Sequence, residues 1–199
     1  MGRTANGERP VELLDAIVDH LMAHGVAELS LRPLAKAVGS SPRVLLYYFG
    51  SKEELVVKGL ARMRERQRVT YERMKAANFA TPREACRAIW KQMSAPETES
   101  LFQMFFEAYA LGLRHPRQFA EFLRNAIEDW LGFLAVPFLR KGYAESEARA
   151  HATVVLAGFR GFMLDYCASK DRKRVDRAVE LWLHALDAIP LKKEISHGD

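Results

Sequence analysis

Apolar positions recur at helical spacing along almost the whole chain, and no stretch of any length alternates apolar and polar residues as a half-buried strand would. Leu13, Leu14, Ile17, Val18, Leu21 and Met22 form one stripe, which predicts an amphipathic helix opening at Pro10 and closing at His24-Gly25. Leu31, Leu34, Ala35 and Val38 follow at the same spacing behind Ser30, whose hydroxyl can cap a first turn. Gly39 supplies a sharp turn, and Ser41 followed by Pro42 predicts the cap and first position of another short helix. A turn of three residues between two short helices is the layout of a helix-turn-helix.

The rest of the chain continues in helices. Ser51 predicts the cap of a long fourth helix from Lys52 to about Ala77, with Glu53 and Glu54 suited to its positive end. Thr81-Pro82 opens a fifth carrying Ala85, Ile89, Trp90 and Met93. The segment from Glu97 to Arg114 contains LFQMFFEAYALGL, apolar on nearly every side, and is expected to be buried all round at the centre of a second domain. A stripe from Phe119 to Phe138 predicts a helix to about Lys141, which Pro137 should kink or tighten near its end. Glu147 to Ser169 and Asp171 to Ile189 predict a last pair, stopped by Pro190 ahead of a polar, mobile tail. The expected fold is all-α with about nine helices. Its expected division is a helix-turn-helix domain over 1–55 and a second helical domain over 56–199, with the helix 52–77 linking the two.

In the second short helix Val44, Leu45 and Tyr48 can turn inward, which leaves Pro42, Arg43 and Tyr47 facing out near its N-terminal end. The sequel is LLYYF and then GSKEEL. Gly39, Ser41, Leu45, Tyr48, Phe49, Lys52, Glu53 and Leu55 together resemble the signature of the tetracycline-repressor (TetR) family of transcriptional regulators, and His24-Gly25 fits the same pattern. The resemblance implies DNA contacts from Ser30, Arg32, Ser41, Arg43, Val44, Tyr47, Tyr48 and Lys52, alongside the outward Pro42. Two residues depart from the pattern: Leu46 stands where the family usually has the first Tyr of a Leu-Tyr pair, and Pro33 where an acidic residue is more common.

The family also dimerises through its last two long helices. Here Ala150, Thr153, Val154, Ala157, Gly158 and Gly161 line one side with small residues, tight packing within the monomer being the alternative for each. In the family the second domain encloses a pocket for a small inducer. The corresponding large, soft side chains are Phe102, Phe105, Phe106, Tyr109, Trp130, Phe159, Met163 and Tyr166, with core packing the alternative for each one. Gln103, Glu107, Asp129, Arg160 and Asp165 are the polar groups near these stripes. Arg160 stands where many members carry an acidic residue, which argues against a cationic ligand and for an ion pair with Glu or Asp on a neighbouring helix or across the dimer.

Composition narrows the picture further. The chain of 199 residues is 49% hydrophobic, enough for one or two packed cores, and its formal charge of +5 is compatible with an anionic partner. Cys86 and Cys167 lie far apart in helical patterns, so neither a disulfide nor a thiolate metal site is indicated. No signal-like apolar core opens the chain, and its apolar stretches are broken well before the roughly 18 residues of a membrane span, so a cytoplasmic protein is expected. His20 and His24 have the i, i+4 spacing of a metal pair but no third ligand nearby, which reads as a solvated or hydrogen-bonded pair. The side chains of the run Arg62, Arg64, Arg66, Arg68 point to different faces, and the run reads as part of a solvated linking helix with a distant electrostatic contribution, not as a second DNA-reading surface.

The function expected from these features is a ligand-responsive repressor, without cofactor or metal, that binds a palindromic operator as a dimer and is released by a small, largely apolar or aromatic inducer. An all-α enzyme is one alternative, though the sequence shows no phosphate-cradling loop, metal-ligand cluster or nucleophile–base pair. An interaction module without DNA binding is the other, with Leu46 its only support.

Overall fold

The computed structural model describes residues 5–76 and 79–187. Nine α-helices and one 3-10 turn account for nearly all of them. They run in the order α1 (Ala5–His24), α2 (Leu31–Ala37), α3 (Pro42–Phe49), α4 (Lys52–Ala76), α5 (Pro82–Met93), a 3-10 turn (Pro96–Thr98), α6 (Glu99–Arg114), α7 (Ala120–Arg140), α8 (Glu145–Ser169) and α9 (Arg172–Asp187). The all-α expectation holds. The expected stop at Pro190 and the polar tail lie outside the described residues, as does the end of α4 expected at Ala77.

Local chemistry explains most of the boundaries. Ser41 Oγ accepts from the Val44 N–H at 3.3 Å, and Pro42 sits at the first position of α3, where its missing N–H removes no ladder bond. At the start of α4 the Glu54 N–H donates to Ser51 Oγ at 3.1 Å while the Ser51 N–H donates back to Glu54 Oε2 at 3.3 Å, a reciprocal capping box. Thr81 and Glu84 cap α5 similarly, at 3.2 Å from the Glu84 N–H to Thr81 Oγ1. Two expectations need correcting. Helix α1 starts at Ala5, so Pro10 lies inside it and forfeits only one ladder bond near the helix start. Ser30 occupies the N-cap of α2 in extended backbone but makes no side-chain cap hydrogen bond.

The chain forms two compact units. The first comprises the described residues up to Glu72 together with Glu99–Ala126. Ile17, Leu21, Leu34, Leu45, Leu55 and Leu60, all at most 2% exposed, fill its core, and Met104, Ala108 and Phe119 continue it. Helix α6, expected at the centre of the second domain, therefore packs with the first. Nor is it buried all round: only Met104, Ala108 and Gly112 are buried, and Leu113 is 64% exposed. Its apolar residues wrap the helix, and α1 together with the start of α7, where Phe105 meets Phe122 at 6.1 Å, leaves most of them half-buried.

The second unit comprises Arg73–Thr98 and the described residues from Ile127 onward. Helices α5, α8 and α9 pack around Ile89, Trp90, Val155, Phe159, Met163, Val179 and Leu183. Polar groups lock the bundle's edge. Trp90 Nε1 donates to Asp176 Oδ1 at 2.8 Å, Arg172 Nε donates to Asp176 Oδ2 at 3.1 Å, and the Arg172 guanidinium also reaches the Ser94 carbonyl. Cys86 is buried here and its thiol is pushed up to about 12 by desolvation, so it is an inert packing group. Pro137 lies inside α7, whose last turn tightens, with the Lys141 N–H reaching Phe138 O and the Gly142 N–H reaching Leu139 O, each at 3.0 Å.

Candidate nucleic-acid interface

Helices α2 and α3 are held at the surface of the first unit by short apolar anchors. Leu34 and Ala35 anchor α2, and Leu45 and Phe49 anchor α3. Gly39 makes the turn between them with φ +64°, a left-handed conformation that favours glycine. Once these anchors face inward, helical geometry turns Arg43, Leu46 and Tyr47 outward on one face, at positions i, i+3 and i+4. Tyr47 is 81% exposed and Leu46 42%. Ser30, Arg32, Ser41 and Arg43 are exposed as well, whereas Pro42, Val44, Tyr48 and Lys52 are half-buried. The Tyr48 ring meets Tyr47 edge-on, with centroids 5.1 Å apart, and so braces it.

Several of these groups already have partners. Lys52 Nζ donates to the Leu29 carbonyl at 3.3 Å, tying the start of α4 to the loop before α2. An ammonium has three donors, so two remain for a phosphate. Lys58, one turn and a half further along α4, donates to the Phe49 carbonyl at 3.2 Å. The Ser41 hydroxyl is occupied as an acceptor by its cap but keeps its own proton to donate.

Sequence reasoning missed the clamp between α1 and α4. Arg62 Nε and Nη2 hold the two Asp15 oxygens at 2.7 and 3.0 Å. Arg66 Nη2 reaches Asp15 Oδ1 at 2.8 Å and Arg66 Nη1 reaches Asp19 Oδ1 at 2.6 Å. Hydrogen bonds from Arg62 foremost, with Arg66 adding, hold the Asp15 carboxyl at about 2 against the opposing effect of burial. Arg62 and Arg66 are thus ion-paired rather than simply solvated, as the i, i+4 spacing to a facing helix could have suggested. A cavity of about 350 Å³ beside the clamp is lined by Val18, Asp19, Met22, Ala23, Met63, Arg66 and Ser100.

None of the residues expected to bind an inducer lines that cavity. Phe102, Phe105, Phe106 and Tyr109 lie on α6 in the first unit, half-buried, with the Phe105 and Phe106 centroids 5.5 Å apart. Trp130, Phe159, Met163 and Tyr166 belong to the second unit, where Phe159 and Met163 are fully buried and Phe159 stacks on Trp90 at 6.3 Å. Glu107, expected as a polar group for a ligand, is engaged instead by the Val26 and Ala27 N–H groups. His24 Nδ1 donates to the His20 carbonyl at 3.0 Å and the two rings stack at 4.2 Å.

Of the six small residues on α8, Ala150, Thr153, Val154, Ala157 and Gly161 are exposed. They share their face with Leu164, 54% exposed, and Leu181 on α9 is 75% exposed. Gly158 differs, because a Cβ there would lie 2.5 Å from the Trp182 ring, so its lack of a side chain serves packing inside the unit.

A trihelical head that turns Arg43 and Tyr47 outward from a short capped helix, followed by a helical second unit, has the layout of a helix-turn-helix protein. Residues 13–58 match the family model of bacterial regulatory proteins, tetR family. Solved structures share the fold over nearly the whole chain. A TetR-family transcriptional regulator from Cytophaga hutchinsonii is 17% identical, with TM-score 0.76 over 97% of this chain and 100% of that one. A TetR transcription regulator from Haloarcula marismortui is also 17% identical, with TM-score 0.72 over 92% and 98%. The multidrug binding protein EbrR, complexed with imidazole, is 22% identical with TM-score 0.67 over 96% and 95%. No curated protein matches the chain significantly. Among the described residues no helix is long and apolar enough to cross a membrane.

Proposed function

We propose that this chain is a TetR-family transcriptional regulator, a cytoplasmic repressor that binds a palindromic operator as a homodimer and is released by a small, largely apolar or aromatic inducer. The observation that carries the reading is the outward face of α3, on which Arg43 and Tyr47 stand away from the core that holds the helix through Leu45 and Phe49. Arg43 suits a guanine edge, Tyr47 a base edge or phosphate, and Lys52, Ser30, Arg32 and Ser41 suit the flanking backbone. One short helix buries too little surface for useful specificity, which favours a doubled reader.

The uncovered strip of Ala150, Thr153, Val154, Ala157, Gly161 and Leu164 on α8, with Leu181 on α9, supports self-association. It is a helix-long apolar face with small residues that allow close approach, the kind of surface monomers rarely leave in water. The inducer reading is supported by the half-buried aromatic group on α6, and a protein of the same fold is described as multidrug binding. The test is selection from a random duplex library together with sedimentation equilibrium. Two-fold symmetric sequences bound by a dimer are expected; a monomeric protein, or a library showing no palindromic enrichment, would overturn the reading.

A further inference from the structure

Leu46 lies on the same exposed face of α3 as Arg43 and Tyr47 and is 42% exposed, while its neighbours Leu45 and Phe49 are 0% and 4% exposed. The head's core therefore takes α3 through Leu45 and Phe49 and leaves Leu46 outside. An apolar side chain gains nothing against a phosphate, whose oxygens would lose water without gaining a donor. On the major-groove floor the base edges are polar donors and acceptors, with one apolar exception, the C5-methyl of thymine.

We infer that Leu46 is a specificity-determining residue that packs on a thymine methyl in each half-site, beside the bases read by Arg43 and Tyr47. This rests on the reading of α3 as the helix that enters the major groove. Covering one methyl with leucine is worth about a fourfold gain in affinity per half-site. Cytosine lacks the group and 5-methylcytosine restores it, so the same contact would tolerate 5-methylcytosine in place of thymine wherever the remaining base edge is unread.

The experiment is a methyl scan. The duplex selected by the full-length protein is remade with deoxyuridine replacing each thymine in turn, and affinity is measured by fluorescence anisotropy for the wild type, Leu46→Ala and the near-isosteric Leu46→Asn, with circular dichroism as the control for folding. One thymine per half-site should lose about fourfold in affinity on demethylation with the wild type and nothing with whichever variants fold. If no thymine is methyl-dependent for the wild type, or if the dependence survives in a folded variant, the inference fails while DNA binding stands. If no duplex is selected at all, the reading of α3 fails and takes the inference with it.

Discussion

Glu107 on α6 holds the turn after α1 through a single carboxylate oxygen, Oε2, which accepts from the Val26 N–H at 2.7 Å and the Ala27 N–H at 3.1 Å. Those amides follow Gly25, where φ is +76° and an added Cβ would sit 2.4 Å from the same oxygen. Glycine is therefore required twice there, for the left-handed backbone and for the carboxylate. Val26 is 2% exposed, so Glu107→Ala leaves its N–H without an acceptor and should cost about 1–3 kcal/mol, with Glu107→Gln costing less. Gly25→Ala both strains the turn and displaces the carboxylate, so its loss should add incompletely to that of Glu107→Ala. Urea denaturation of the two single variants and the double variant measures the coupling; full additivity would mean that the two sites act separately.

The Asp15 clamp makes a pH prediction with a definite sign. The folded carboxyl is held at about 2, below its ordinary value of 3.8, so its contribution is fully present above the unfolded value and is lost as pH falls toward 2. Asp15 is about a third exposed, and screening by solvent brings the contribution down to about 1 kcal/mol. The difference in melting temperature between the wild type and Asp15→Asn should be constant from pH 5 to 7 and shrink through pH 4 to 2. A gap that widened on acidification would show that another carboxylate dominates.

How much of this was legible beforehand depended on the range of the interaction. The caps at Ser51–Glu54 and Thr81–Glu84 span three residues and are written in the local sequence, so the starts of α4 and α5 were readable. The cap expected at Ser30 did not form, and the helix start expected at Pro10 was misplaced, because proline near a helix start is compatible with either a first position or an early interior one. Glu107 meets Val26 across 81 residues and Arg62 meets Asp15 across 47, separations over which a single sequence carries no pairing signal. The outward side of α3 was read at Arg43 and Tyr47, whereas Leu46 was noted only through the resemblance, as standing where the family usually has Tyr. The packing of Leu45 and Phe49 is what leaves its side chain outside the core.

Lys52 and Arg43 should fail in different ways. A lysine at the start of α4 can meet only a phosphate, so Lys52→Ala should weaken all duplexes alike and make the salt dependence shallower by about 0.9 in log–log slope. Its bond to the Leu29 carbonyl adds a small loss of stability, which thermal melting separates from the loss of affinity. Arg43→Ala should instead cost about 1–3 kcal/mol at one base pair per half-site and relax the preference there. Anisotropy titrations on the selected duplex and on scrambled duplexes over a range of salt distinguish the two; a change of sequence preference in Lys52→Ala would reverse its assignment.

Two glycines one turn apart on α8 should respond differently. A Cβ at Gly158 would meet the Trp182 ring at 2.5 Å, so Gly158→Ala should destabilise the fold by about 1–3 kcal/mol at any protein concentration. Nothing lies within 4 Å of a Cβ at Gly161, on the face proposed to bury against a second copy. Gly161→Glu would place an unpaired charge there and should loosen the dimer more than tenfold with helicity unchanged. Sedimentation over a concentration series reads the second effect, and an unaltered dimer would remove this face from the interface.

The proposed inducer response can be traced through α6. Phe102, Phe105, Phe106 and Tyr109 sit on the helix that also carries Glu107, within the same compact unit as the reading head. A ligand that displaced those rings would draw Glu107 away from Val26 and Ala27, freeing the turn that sets the start of α2 and, through it, the bearing of α3. An effector can shift DNA binding only by as much as its own affinity differs between the two arrangements, and the effect is reciprocal. A coupling of about 1–3 kcal/mol would weaken operator binding roughly 5- to 150-fold. The measurement is the affinity of a ligand found by thermal-shift screening, with and without saturating operator, in the wild type and in Glu107→Ala. Antagonism in the wild type that is reduced in the variant is expected. Equal ligand affinities with and without operator would dispose of the inducer, and undiminished antagonism in Glu107→Ala would move the route away from α6.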